Sequence, residues 1–105
     1  MFTVGSCTVL YNPNESVLMN LNSYSKCVDV SVVVDNSDTK NEISQTLKNN
    51  PNFIYIDMDG NKGIAAALNK GIEYFDSKNI DFALTMDQDS LFPTKYYQDI
   101  LKLVD

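Results

Sequence analysis

The amino-acid sequence predicts an α/β protein, a Rossmann-like three-layer α/β/α sandwich with a mainly parallel sheet. Three observations carry that expectation. Apolar, β-type runs alternate with stretches of helical periodicity four times along the 105 residues, the pattern of consecutive β-α units. The second run, residues 28–34, is dense in valine, as a strand covered on both faces requires. Each run also stops in a polar cluster of Asn, Asp, Ser or Pro, where the loops at the carboxyl ends of parallel strands begin.

Residues 2–10 form the first strand, with Val4, Cys7, Val9 and Leu10 as its apolar positions. Tyr11-Asn12-Pro13-Asn14 turns the chain into a helix on which Val17, Leu18, Leu21 and Tyr24 recur at helical spacing. The valine-rich second strand closes at Asp35-Asn36-Ser37-Asp38. Thr39 and Glu42 stand at capping-box spacing before a second helix, with Ile43 and Leu47 on one face. Residues 49–52 are a loop, 53–56 a short third strand and 57–62 a polar loop. Ile64, Leu68, Ile72 and Phe75 make the apolar stripe of a third helix. Ala65, Ala66, Ala67 and Gly71 accompany it and let it lie close on a sheet. Residues 82–86 read as a buried fourth strand, followed at once by Asp87-Gln88-Asp89-Ser90. Pro93 suits the first turn of a last helix over 94–104, with Tyr97, Ile100, Leu101 and Val104 as its apolar face. Right-handed crossovers between parallel strands then give the order 3-2-1-4 and bring Tyr11 beside Asp87.

Bulk composition narrows the chemistry. The length fits one domain with a small core. Net charge is -6, from 14 acidic and 8 basic residues, all of the latter lysine. Such a chain repels phosphate backbones, so nucleic acid is not an expected partner. A phosphorylated small molecule binds only with a cation between. The absence of histidine excludes imidazole catalysis and histidine metal sites. Cys7 and Cys27 lie far apart in apolar runs, the pattern of reduced, buried thiols. No apolar stretch has the length of a signal peptide or membrane span. The expected location is cytoplasmic.

Ligands of open parallel sheets sit beyond the carboxyl ends of the strands. Here those ends offer Tyr11-Asn12-Pro13, then Asp35-Asn36-Ser37-Asp38, then Asp57, Asp59, Asn61 and Lys62, then Asp87-Gln88-Asp89-Ser90. Turn chemistry alone accounts for much of this polarity, since turns favour these residue types. The last segment asks for more. Two carboxylates directly after a strand repel one another, and a hard divalent cation with oxygen ligands relieves that repulsion.

These segments resemble, in order, those of the inverting family-2 glycosyltransferases. Val32-Val33-Val34-Asp35-Asn36-Ser37 is similar to that family's second-strand end. Residues 61–72, starting Asn61-Lys62-Gly63-Ile64, resemble its N-x-G-h-a-x-a-x-N-x-G-h segment, and Asp87-Gln88-Asp89 its D-x-D motif. The form D-Q-D-S resembles the rhamnosyltransferase branch. Leu10-Tyr11-Asn12-Pro13 matches the usual T-Y-N-P turn but departs at Leu10. The resemblance spans nearly the whole chain and implies the nucleotide-sugar-binding portion of a GT-A fold over residues 1–105. Carried over, Tyr11 and Asn12 flank the nucleotide, with Tyr11 at the base. Asp35 hydrogen-bonds the base and Asp87 takes a ribose hydroxyl. Asp89 holds Mg2+ or Mn2+ against the diphosphate, and the loop from Asn61 to Gly63 closes on the nucleotide. Asn69 reads as a structural amide on the helix.

The implied reaction is transfer of a sugar, rhamnose from dTDP-rhamnose or another dTDP- or UDP-linked sugar, to a saccharide acceptor of a cell-surface polysaccharide. In the full-length enzyme this work is expected at the inner face of the membrane. The family's base is a carboxylate far downstream of the D-x-D motif, so the chain as given is expected to bind nucleotide without turnover. It is also expected to self-associate through an incompletely covered sheet. Two rival readings stand beside this one. Asp57-Met58-Asp59-Gly60 resembles the loop of haloacid-dehalogenase-type phosphotransferases, with Asp57 as nucleophile and Asp59 as acid/base. Asn61 and the two strands before the loop depart from that pattern. The other rival is a doubly wound, non-enzymatic binding module. An EF-hand reading of the same loop fails at Lys62 and Leu68.

Overall fold

The computed structural model describes residues 2–89. Its elements are β1 (Val4–Leu10), α1 (Ser16–Ser25), β2 (Val30–Asp35), α2 (Glu42–Lys48), β3 (Ile54–Asp57), α3 (Ile64–Ser77) and β4 (Phe82–Asp87). The four strands form one sheet in the order β3-β2-β1-β4, with every pairing parallel. Both the fold class and the strand order agree with the sequence. The last helix expected over 94–104, and Ser90, lie outside the described residues.

Alternation along the central strands builds two cores. Leu10 and Val33 face α1 and α2, where they pack with Val17, Leu21, Tyr24, Leu47 and Phe53. Cys7, Val32 and Val34 face the opposite side and pack with Ala67 and Phe75 of α3. Helices thus cover both faces, which is why β2 is buried along nearly its whole length. Polar side chains of the central strands inside the first core are paired. The Tyr24 hydroxyl bonds to Thr8, and burial, the largest cause, pushes that phenol up to about 12. Ser6 Oγ donates to Ser31 Oγ at 3.1 Å across β1 and β2.

The third helix meets the sheet through its small residues. Ala67, Gly71 and Phe75 are its buried positions, whereas Ile64 is 68% and Ile72 43% exposed. The stripe read as Ile64, Leu68, Ile72 and Phe75 therefore holds at Phe75 and, in part, at Leu68, and is corrected at Ile64 and Ile72. The contact is so close that a Cβ on Gly71 would stand 2.3 Å from Cys7 Sγ. The Phe75 ring occupies the space over Gly5, whose own Cβ would lie 2.4 Å from it. Bulky aliphatics cannot enter such a gap, so they turn outward.

Two other expectations are revised. Asn41, not Thr39, caps α2: its side chain accepts from Ser44 N at 3.0 Å, while its Nδ2 donates to Pro13 O at 2.7 Å. A cap must have extended backbone and sit directly before the first helical residue, and Asn41 does. The fourth strand is not buried. Phe82, Ala83, Thr85 and Asp87 are exposed and Leu84 and Met86 half-buried, because β4 lies at the edge of the described sheet, with β1 as its described neighbour.

Candidate functional site

Parallel pairing in matched register brings the four carboxyl ends to one edge. Leu10 stands opposite Asp35, Val9 opposite Asp87, and Asp35 opposite Asp57. Each loop that leaves this edge is held by side chains of its neighbours.

The loop after β1 is fixed from both sides. Asn12 adopts a left-handed backbone (φ 44), a conformation Asn tolerates better than most residues. Its N–H donates to Ser37 Oγ at 2.8 Å. On the other side the Gln88 carboxamide accepts from Tyr11 N at 3.0 Å and donates to Tyr11 O at 3.1 Å. The Tyr11 side chain remains 45% exposed.

After β2, alternation sends successive residues to opposite faces. Asp35 turns inward and is fully buried. Its carboxylate accepts from Tyr55 Oη at 2.5 Å and from Ser37 N at 3.0 Å. Burial alone would raise this carboxyl, but the bonds from Tyr55 and Ser37 outweigh it and hold Asp35 below its ordinary range. The Tyr55 phenol moves up, through burial first and then through its bond to Asp35. Asn36 turns the other way. Its Nδ2 donates to Asn61 Oδ1 at 3.0 Å and its Oδ1 accepts from Lys62 N at 2.9 Å.

The loop after β3 winds tightly, with positive φ at Asp59, Gly60 and Gly63. Asn61 Oδ1 also accepts from Gly63 N at 2.9 Å, and Asn61 N donates to Asp38 Oδ1 at 3.1 Å. Gly63 enters α3 at φ 88 and ψ 153, with no atom within 4 Å of where a Cβ would stand. The position therefore demands glycine for its backbone and leaves open space for a ligand. Asp57 is spoken for elsewhere: Lys40 Nζ lies 3.1 Å from it, and it accepts from Asp59 N at 2.8 Å.

After β4, Asp87 Oδ1 accepts from Asp89 N at 3.2 Å. Asn20 Nδ2 of α1 donates to Gln88 O at 2.9 Å. Between these loops lies a cleft of about 590 Å³. Among the described residues its polar lining is Tyr11, Asn36, Asn61, Thr85, Asp87 and Gln88, with the Gly63 backbone; Val9, Ile64 and Leu68 form an apolar wall, while the Met86 side chain packs against the core on the other face. The structure thus gathers Tyr11, Asn61, Gly63 and Asp87 in one cleft. Asn12 and Asp89 adjoin lining residues in the chain, and Asp35 lies on the opposite face of the sheet, against Tyr55. Asn36 and Gln88 were not singled out by sequence. Period-2 alternation after Val34 points to Asn36, and an amide set between two carboxylates points to Gln88.

Among the described residues, no lysine lines the cleft. Among the described residues no three acidic or thiol groups gather into a metal cage. The exposed carboxylates of Asp87 and Asp89 are hard oxygen donors of the kind Mg2+ and Mn2+ prefer. Two such groups suit an ion that completes its shell with ligand oxygens and water.

A parallel α/β sheet with a polar cleft across the carboxyl ends of its strands defines a Rossmann-like α/β domain. The sequence profile of Glycosyl transferase family 2 matches residues 9–105, and the chain belongs to that family. It is also similar to poly-beta-1,6-N-acetyl-D-glucosamine synthases of Staphylococcus aureus strains COL, MRSA252 and N315, 29% identical over 86 residues in each case. That alignment covers 77% of this chain and 20% of each relative, so the chain matches about a fifth of their length. Membership in Glycosyl transferase family 2 displaces the haloacid-dehalogenase-type reading, and Asp57 is paired with Lys40 outside the cleft lining. Among the described residues, no helix is long and apolar enough to cross a membrane.

Proposed function

We propose that residues 1–105 form the donor-binding portion of an inverting glycosyltransferase that takes a nucleotide-diphosphate sugar and serves polysaccharide assembly. The observation that carries this reading is the meeting of Tyr11, Asn36, Asn61 and Asp87 in one cleft with no lysine among its described lining residues. Tyr11 presents an exposed aromatic face for the base. Asp87 and Asn61 offer polar atoms to the ribose and phosphates, and the Gly63 backbone lets a ligand approach. Asp35 acts here from behind. It fixes Ser37, whose hydroxyl holds Asn12 N and with it the turn that carries Tyr11 and Asn12.

Asp89, next to Asp87, would hold Mg2+ or Mn2+. When bound, that ion neutralises charge on the departing diphosphate. The chain's own share is to bind the nucleoside, orient the diphosphate toward Asp89 and shelter one side of the donor against Val9, Ile64 and Leu68. The acceptor is a saccharide. The expected setting is the cytoplasm, at the inner face of the membrane for a full-length enzyme.

For the donor, the D-Q-D-S form of the motif favours dTDP-rhamnose. A second reading, an N-acetylglucosamine donor linked to UDP, draws on the name of the staphylococcal relatives. Calorimetric titration with dTDP and with UDP, each with Mn2+ and with chelator, tests both. Binding is expected only with Mn2+, and the preferred base separates the donor readings. Asp89→Ala should abolish the metal effect and Asp87→Ala should weaken nucleoside recognition. Equal affinity in Mn2+ and chelator would remove the metal from the proposal.

A further inference from the structure

Val9 and Asp87 are the last paired residues of β1 and β4. One residue on, a side chain takes over the pairing. The Gln88 carboxamide accepts from Tyr11 N at 3.0 Å and donates to Tyr11 O at 3.1 Å. A primary amide carries an acceptor and two donors on one planar group, so it can dock on both backbone groups of a single residue as a neighbouring strand does. A carboxylate lacks the donor, and an aliphatic or a lysine lacks the acceptor.

The Gln88 backbone is anchored independently. Its carbonyl accepts from Asn20 Nδ2 at 2.9 Å, and the turn around it closes through Asp89 N to Asp87 Oδ1 at 3.2 Å. The side chain therefore reaches Tyr11 from a fixed base. Both Tyr11 and Gln88 line the cleft, and the loop that carries Tyr11 takes its further ties downstream, at Asn12 N and Pro13 O, so that Gln88 is the described side chain that holds the Tyr11 backbone itself.

We propose that Gln88 is a positioning residue: it locks the Tyr11 loop in register with Asp87 and Asp89, so that the nucleoside and diphosphate ends of the cleft are set by one clamp. The inference rests on the nucleotide reading given above and deepens it. Gln88 acts through Tyr11 and does not itself need to touch the ligand.

A double-mutant cycle on the whole chain tests the clamp, with UDP or dTDP plus Mn2+ as the probe. Gln88→Met should weaken binding about tenfold, as the loss of two hydrogen bonds that each contribute modestly implies. Tyr11→Ala should weaken binding to a similar degree, and the double variant should bind no worse than Tyr11→Ala. Unchanged affinity in Gln88→Met, or losses that simply add, would overturn the clamp. Amide hydrogen exchange reads the same contact without ligand. Tyr11 N–H should be protected in the unaltered chain and exchange at least about tenfold faster in Gln88→Met. An unprotected Tyr11 N–H in the unaltered chain would overturn the proposal even if the variant fails to fold. If Tyr11 N–H behaves as expected while neither nucleotide binds with Mn2+, the clamp stands and the nucleotide reading falls.

Discussion

The carboxylate of Asp35 has no exposure, yet its hydrogen bonds from Tyr55 and Ser37 keep it charged more readily than an ordinary aspartate. The buried Ser44 hydroxyl, which meets no partner at hydrogen-bond geometry, pulls in the same direction. A group whose folded pKa lies below its unfolded value adds stability above the unfolded pKa and loses it as pH falls through the folded one. For Asp35 that window opens just below its ordinary value of 3.8 and extends downward. Tyr55→Phe removes one donor with little change in shape. It should cost about 1–3 kcal/mol at pH 7, where a buried charge loses a partner. The cost should shrink near pH 3, where Asp35 takes up a proton in the variant. Chemical denaturation of both proteins at the two pH values measures this, and a cost independent of pH would mean that Tyr55 contributes packing alone. The sequence marked Asp35 as a candidate through its place at the end of β2. It did not reveal that the carboxylate points away from the cleft, because that depends on which helix layer lies over each face. Asn36 and Gln88 were missed for a related reason: both work by binding backbone of a distant loop, and no local pattern encodes such a partner.

At the scale of elements, the β-α alternation was fully legible for the described residues, because strand and helix periods differ and each apolar run is bounded by turn residues. The face that α3 presents was legible only in part. Hydrophobicity singles out Ile64 and Ile72, but the sheet lies too close to accept them, and Ala67 and Gly71 make the contact instead. The cap of α2 was misplaced because Thr39 and Asn41 both suit a cap, and the choice falls to the one that also ties to Pro13 O. The α3 interface makes a sharp prediction. By helix propensity alone, Gly71→Ala would stabilise α3 by about 1 kcal/mol. Its new Cβ would stand 2.3 Å from Cys7 Sγ and 3.3 Å from Cys7 Cβ, so helix and strand must separate. Overpacking of this kind costs about 1–3 kcal/mol, and the net change should be destabilising. Adding Cys7→Ala removes the sulfur and should recover most of the loss. Thermal or denaturant melts of the single and double variants measure this. A stabilised Gly71→Ala would mean that α3 sits farther from β1 than described.

Over the whole molecule, charge decides how a diphosphate can approach. The chain carries a net charge of -6, its cleft is lined by Asp87 and, among the described residues, by no lysine, and the Lys40 ammonium is engaged by Asp57 and Ser37 O. A bare nucleotide diphosphate therefore meets repulsion at long and short range alike. Raising salt from 0.01 M to 0.1 M shortens the screening length from about 30 Å to about 10 Å. The radius of gyration is 13.2 Å, so at the lower salt the charge of the entire chain acts on the ligand, and at the higher salt mainly the charge around the cleft does. In chelator, added salt should accordingly strengthen the weak residual binding of UDP or dTDP. With Mn2+ the sign should reverse. The ion attracts both carboxylates and diphosphate, and salt weakens that attraction. Fluorescence titration of a labelled nucleotide at the two salt concentrations, with and without Mn2+, reads both slopes. A protein that held phosphate with its own lysines would lose affinity with salt in both conditions. Such a result would move the phosphate contact from an ion at Asp89 to lysine side chains of the chain itself.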